Sequence, residues 1–177
     1  MEFITITLGA AAKAMTDAVL PALLAAGDRQ ALEQAHLVRD AIEFARDRAE
    51  LIGERRRAEA LGLLELLGEL LTLDAPGSPL APRLTELRAA ALRSLADPAA
   101  DAGRWAGLGA RMGQAVTAVL RAADDLDPGP RAAVERTVLR HALRGLELDR
   151  AWLLPLGFDP EPGSVRELSE LLGTGRR

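Results

Sequence analysis

Glu33 and His36 stand three residues apart in Glu33-Gln34-Ala35-His36, a spacing at which a carboxylate and an imidazole on one helix can reach the same metal ion. A metal site needs further ligands, and the chain has one other histidine, His141, with Val138 three residues before it. Placing residues at about 100° intervals puts His36 in line with Asp40, Glu43, Asp47, Glu50 and Glu54, opposite the apolar stripe Ala35, Val38, Ile42, Ala45, Ala49 and Ile52. That acidic line can attract a divalent cation or steer a basic partner. Arg39, Arg46 and Arg48 flank it, however, as they would flank a solvated face.

The Glu-x-x-His spacing resembles that of the ferritin-like di-iron proteins over four residues, and the resemblance implies a metal protein with Glu33 and His36 as ligands. That family adds a second Glu-x-x-His and one Glu from each of two other helices, all pointing into the bundle. The second Glu-x-x-His is not found here, and no cofactor is expected.

His141 falls on or beside the apolar face of its helix, where a histidine can act as a base or orient a ligand. No serine, cysteine or carboxylate can be placed beside it from spacing alone, so a hydrogen-bonded structural histidine is the plainer reading. The run Arg55-Arg56-Arg57 is bracketed by Glu54 and Glu59, and three consecutive helical residues point in three directions. It reads as a polar hinge rather than a nucleic-acid patch. Gly103, Gly107, Gly109 and Gly113 each cost up to about 1 kcal/mol relative to Ala inside a helix. Close helix packing, or a ligand approaching the backbone, would offset that cost.

The elements that must position these residues are helices. Of 177 residues 49% are apolar but only 3% aromatic, so Leu, Ala and Val must build the core. Cysteine, asparagine and tyrosine are absent and Lys13 is the one lysine. Without cysteine there is no disulfide, thiolate site or cysteine nucleophile. A net charge of −4 gives no global attraction for nucleic acid or anionic lipid. The first residues lack the basic start of a signal peptide, and no charge-free run reaches the roughly 18 residues of a membrane span. A cytoplasmic protein without membrane or nucleic-acid partners is expected.

One domain is expected. Residues 1–7 alternate as a short strand or extended lead-in, with Ile4, Ile6 and Leu8 on one side. A helix then runs to Ala26, kinked or broken at Pro21, stopped by Gly27 and followed by the cap Asp28. The span to Leu73 is proline-free, and as one helix it would be roughly 70 Å long. A bend near Gly53 is therefore expected, where the apolar stripe breaks and resumes rotated. Residues 74–79 read as a loop, with Ser78 as cap and Pro79 in the first turn. Further helices follow to Ala96, from Pro98 or Asp101 to Asp125, and from Arg131 to Leu154, the last carrying Val134, Val138, Ala142, Leu146 and Trp152 inward. A capping box, Ser164 with Glu167, starts a short final helix, and residues 173–177 read as a frayed tail.

The expected fold is all-α, an antiparallel bundle of about five main helices with one long kinked helix. The leading expectation for function is a non-enzymatic, self-associating interaction or scaffold module, most simply a dimer. Its interface is expected at Leu63, Leu67, Leu70 and Leu71, because the rotated stripe needs a different neighbour. The alternative is a bundle holding an acyl-type or other apolar small molecule, with Trp105, Met112, His141 and Trp152 lining the pocket.

Overall fold

The computed structural model of the chain describes residues 2–73 and 80–173, and every regular element among them is helical. Helix α1 (Glu2–Ala14) passes through a π turn (Met15–Val19) into α2 (Leu20–Ala26), followed by α3 (Arg29–Ala49) and α4 (Ile52–Leu73). Then come α5 (Ala81–Leu95), α6 (Ala102–Ala123) and α7 (Pro128–Leu153), 3₁₀ turns at Leu154–Leu156 and Pro162–Ser164, and the short α8 (Leu168–Leu171). The all-α class is as expected. The chain divides into two compact units, Met1–Ile52 with Leu153–Gly163, and Gly53–Trp152 with Ser164–Arg177.

In the first unit α1 and α2 fold back on α3. Gly27 adopts a left-handed φ of 73° that a side chain would resist, and the Asp28 carboxylate accepts the Ala31 N–H at 3.0 Å to cap α3. The register is antiparallel: Thr5 donates to Glu50 at 3.5 Å, and a Cβ at Gly9 would lie 3.9 Å from Arg46, both pairs equidistant from the Gly27–Asp28 turn. Ala12, Ala35 and Ala49 are buried, as helices in close approach require.

Residues 2–8 are helical, which corrects the strand or lead-in expected there. A lone strand has no ladder partner, whereas a helix satisfies its own backbone. The expected interruption around Pro21 takes the form of the π turn that separates α1 from α2. Pro21 sits in the first turn of α2, just after the π turn, where the wider winding takes up the missing N–H. The long segment is interrupted at Glu50 and Leu51, slightly ahead of Gly53, and the Leu51 N–H bonds back to the Arg48 carbonyl at 3.0 Å.

Helix Phe3–Ala26 is long and apolar enough to cross a membrane on length and composition alone. Its two charged side chains, Lys13 and Asp17, pair with one another.

The second unit has the leucine core. Leu64, Leu66, Leu67 and Leu70 of α4 pack with Leu84, Leu87 and Ala91 of α5, with Trp105, Leu108 and Met112 of α6 and with Val134 of α7. Leu67 and Met112 are 0% exposed. Of the four residues expected at an interface, Leu67 and Leu70 lie in the chain's own core, and Leu63 and Leu71 pack partly against it. The stripe that rotates after Gly53 finds its partner within the unit.

Asp101 caps α6 by accepting the Arg104 N–H at 2.8 Å. Helix α7 begins at Pro128, earlier than the expected Arg131, because prolines in a first turn lose no intrahelical bond. Leu146, expected inward, is exposed: a run in steps of four drifts by about 40° per step, so Val134 faces the core and Leu146 does not. The final helix starts later than the expected Ser164, which ends a 3₁₀ turn and accepts from Arg150 at 3.0 Å; α8 begins after Glu167 without a side-chain cap at that residue. The expected loop and cap at 74–79, and all but the first residue of the expected tail, lie outside the described residues.

Candidate functional site

Helices α4 and α7 are tied together by a row of cross-helix pairs. Arg55 meets Asp149 at 2.5 Å, Arg144 meets Glu65 at 3.3 Å and Arg140 meets Glu69 at 2.6 Å. Numbers rise along α4 as they fall along α7, so the two run antiparallel. Glu65 and Glu69 are the charges that interrupt the leucine run of α4, while Arg55 comes from the charged stretch before it. The row holds the helices without requiring their backbones to touch.

Between these helices and α6 lies a half-open cleft of about 1000 Å³. Its floor is apolar: Leu63 and Leu66 from α4, Trp105 from α6, and Val138 and Leu148 from α7. Small residues widen it, with Gly62 on α4, Gly109 on α6 and Gly145 on α7 all at its wall. A Cβ at Gly62 or Gly145 would meet nothing within 4 Å, and one at Gly109 would meet Leu63 at an ordinary 3.9 Å. The glycines of α6 are therefore not explained by close helix packing; the cleft accounts for Gly109 alone.

The rim is charged, with Arg56, Arg144 and Arg166 opposed by Glu59, Glu147 and Asp149. Arg56 is held by Glu59 at 2.8 Å, whereas Arg166 reaches Glu147 only at 3.6 Å. Arg144 and Arg166 are more than half exposed in such long pairs, which contribute about 0–1 kcal/mol each.

His141 lines the cleft, and its ring is buried. Nε2 lies 3.1 Å from Glu69 Oε1, while Glu69 itself lines a smaller polar notch of about 570 Å³ beside Arg88 and Thr72. An ionised carboxylate can only accept, so Nε2 carries the proton it donates. That hydrogen bond holds Glu69 below the ordinary carboxylate range against the opposing cost of desolvation, and the charges of Arg140 and Arg144 act in the same direction. Spacing could not reveal this partner, because Glu69 is 72 positions away. The one signal was a glutamate interrupting a leucine run.

Of the four residues expected to line a pocket, Trp105 and His141 do. Met112 is instead fully enclosed in the core. Trp152 lies beneath Arg55, whose guanidinium sits 4.6 Å from its ring centroid. Glu33 and His36 are exposed on α3, and among the described residues no three His, Asp or Glu side chains converge as metal ligands.

No protein-family model, no curated protein and no solved structure matches the chain.

Proposed function

We propose that the second unit is a non-enzymatic binding module for an elongated apolar molecule with an anionic end, such as an acyl carboxylate. The observation that carries this reading is the cleft of about 1000 Å³, the upper part of the size range of small-molecule sites. Its floor is apolar, three glycines open its wall, and Arg144 and Arg166 at the rim hold exposed ion pairs, at 3.3 Å to Glu65 and at 3.6 Å to Glu147 and Glu170, that a ligand anion can replace at little cost. His141 donates to Glu69, and no serine, threonine or cysteine is among the residues that line the cleft, so its wall offers no hydroxyl or thiol nucleophile. Self-association through Leu63, Leu67, Leu70 and Leu71 loses its support, because those side chains serve the core.

Purified protein should carry a co-isolating amphiphile visible by native mass spectrometry, and saturated fatty acids should change Trp105 fluorescence with Trp152 replaced by Phe. Gly62→Leu and Gly145→Leu fill open space in the cleft and should weaken that binding at least tenfold, on the order of 1.4 kcal/mol, with helical content unchanged. Absence of any bound amphiphile together with an unresponsive Trp105 would overturn the reading.

A further inference from the structure

Helix α1, the π turn and α2 together form one apolar segment, Phe3–Ala26, of 24 residues. A helix held in a water-soluble hairpin turns its large side chains inward and its charges outward. This segment does neither. Of its residues only Ala12 and Leu20 are buried, while Phe3, Ile6 and Leu24 are 79%, 63% and 69% exposed. Its charged residues are Lys13 and Asp17 alone.

We infer that this segment crosses a lipid bilayer, with α3 and the chain beyond it staying in water. At about 1.5 Å per residue it reaches about 36 Å, enough for a hydrocarbon core of about 30 Å. Most of its polar side chains are satisfied within it. Thr7 donates to the Phe3 carbonyl at 2.8 Å and Thr16 to the Ala12 carbonyl at 3.0 Å. Lys13 and Asp17, one turn apart, pair with one another and leave no net charge to carry into lipid. Thr5 donates outside the segment, to Glu50 of α3 at 3.5 Å, but it lies near the helix start, at the level of headgroups and water. The π turn and Pro21 suit a membrane helix, where local rewinding re-satisfies the backbone groups that a proline frees.

Two observations select lipid over a protein partner. At about 100° per residue Ile6, Phe3 and Ile4, all exposed, spread over roughly 160° of the helix circumference, wider than the roughly 100° stripe that a packed helix needs. Lipid touches a helix from every side. The contact between α1 and α3 is built on Gly9, Ala12, Ala35 and Ala49, so parting them uncovers little apolar surface. Helix α3 cannot follow into lipid, since Arg29, Glu33, Arg39 and Asp40 recur along it. The parting point is Gly27, whose left-handed φ of 73° already ends the apolar helix ahead of the Asp28 cap.

The full chain, reconstituted from detergent with phosphatidylcholine vesicles, should float with them and stay bound in alkaline carbonate, which strips surface-bound protein. The chain has no cysteine, so spin labels can be placed singly through Phe3→Cys, Ala14→Cys and Ala25→Cys, all at exposed positions. The label at position 14 should be shielded from a water-soluble relaxation agent, and those at 3 and 25 should not. Ile6→Asp combined with Ala10→Asp places two carboxylates at exposed positions and should cut vesicle binding at least about tenfold, with helical content in water retained. Absence of vesicle binding overturns the inference, as does undiminished binding of the double variant. Equal shallow depth at all three labels, which would mean a helix lying on the surface, overturns it too. So does a chain isolated from cells without residues 1–26, which would mark the segment as a cleaved leader. Should the double variant fail to fold, the depth profile decides.

Discussion

The two units solve the problem of packing helices in opposite ways. The first brings α1 and α3 close on Ala12, Ala35 and Ala49, and its large side chains, Phe3, Ile6 and Leu37 among them, remain at the surface. The second holds its helices far enough apart for Leu67, Leu70 and Met112 to interdigitate. Where glycines rather than leucines face that wider space, the cleft remains. Charges follow the same division. Arg39–Asp40 and Arg46–Asp47 in the first unit are local to one helix, whereas Arg55–Asp149 and His141–Glu69 in the second join two. Small residues therefore mean contrary things in the two units, close approach in one and open volume in the other.

The sharpest break of this comparison is to exchange sizes. Leu67→Ala should cost about 2–5 kcal/mol of stability in urea unfolding, since the fully enclosed site cannot collapse to fill the void. Leu37→Ala, a change of the same type on the exposed surface of the first unit, should stay within about 0.5 kcal/mol. The reverse substitution, Ala12→Leu, should cost about 1–3 kcal/mol by forcing apart helices that touch through alanine. Similar losses for Leu67→Ala and Leu37→Ala would erase the distinction.

Caps should not distinguish the units, because they act locally. Asp28→Ala and Asp101→Ala each remove one acceptor from a helix start and should each cost about 1 kcal/mol. A much larger loss at Asp28 would mean that the hairpin depends on its turn more than on its alanine contacts.

The smallest expected effect concerns the cross-helix pairs of the second unit. Glu69 is held below its ordinary value, so its ionised form is favoured by folding. The stability it contributes is complete above the ordinary glutamate value of about 4.3 and fades as pH falls through the lower folded value. Replacing Glu69 with Gln should therefore lower the urea midpoint at neutral pH, and the gap to the unmodified protein should close on acidification below that range. A gap independent of pH would show that the His141–Glu69 bond adds nothing through charge.

Much of what depends on neighbouring residues was legible in the chain: the helical periods, the Gly27 stop, the Asp28 cap and a break near Gly53. These are set within one or two turns of backbone. The same locality misled at residues 2–8, where alternation suggested a strand but only a partner strand could have made one. Of the residues expected at a pocket, Trp105 and His141 lie at the cleft, whereas Met112 is enclosed in the core and Trp152 lies beneath Arg55, a division that residue type does not decide. Tertiary structure alone decided which apolar stripe is enclosed, that Leu67 belongs to the core and Leu143 to the surface, and that Glu69 stands beside His141. Periodicity locates a helix's faces relative to one another, but the rotation of that helix against its neighbours is a collective outcome of packing among residues far apart in the chain.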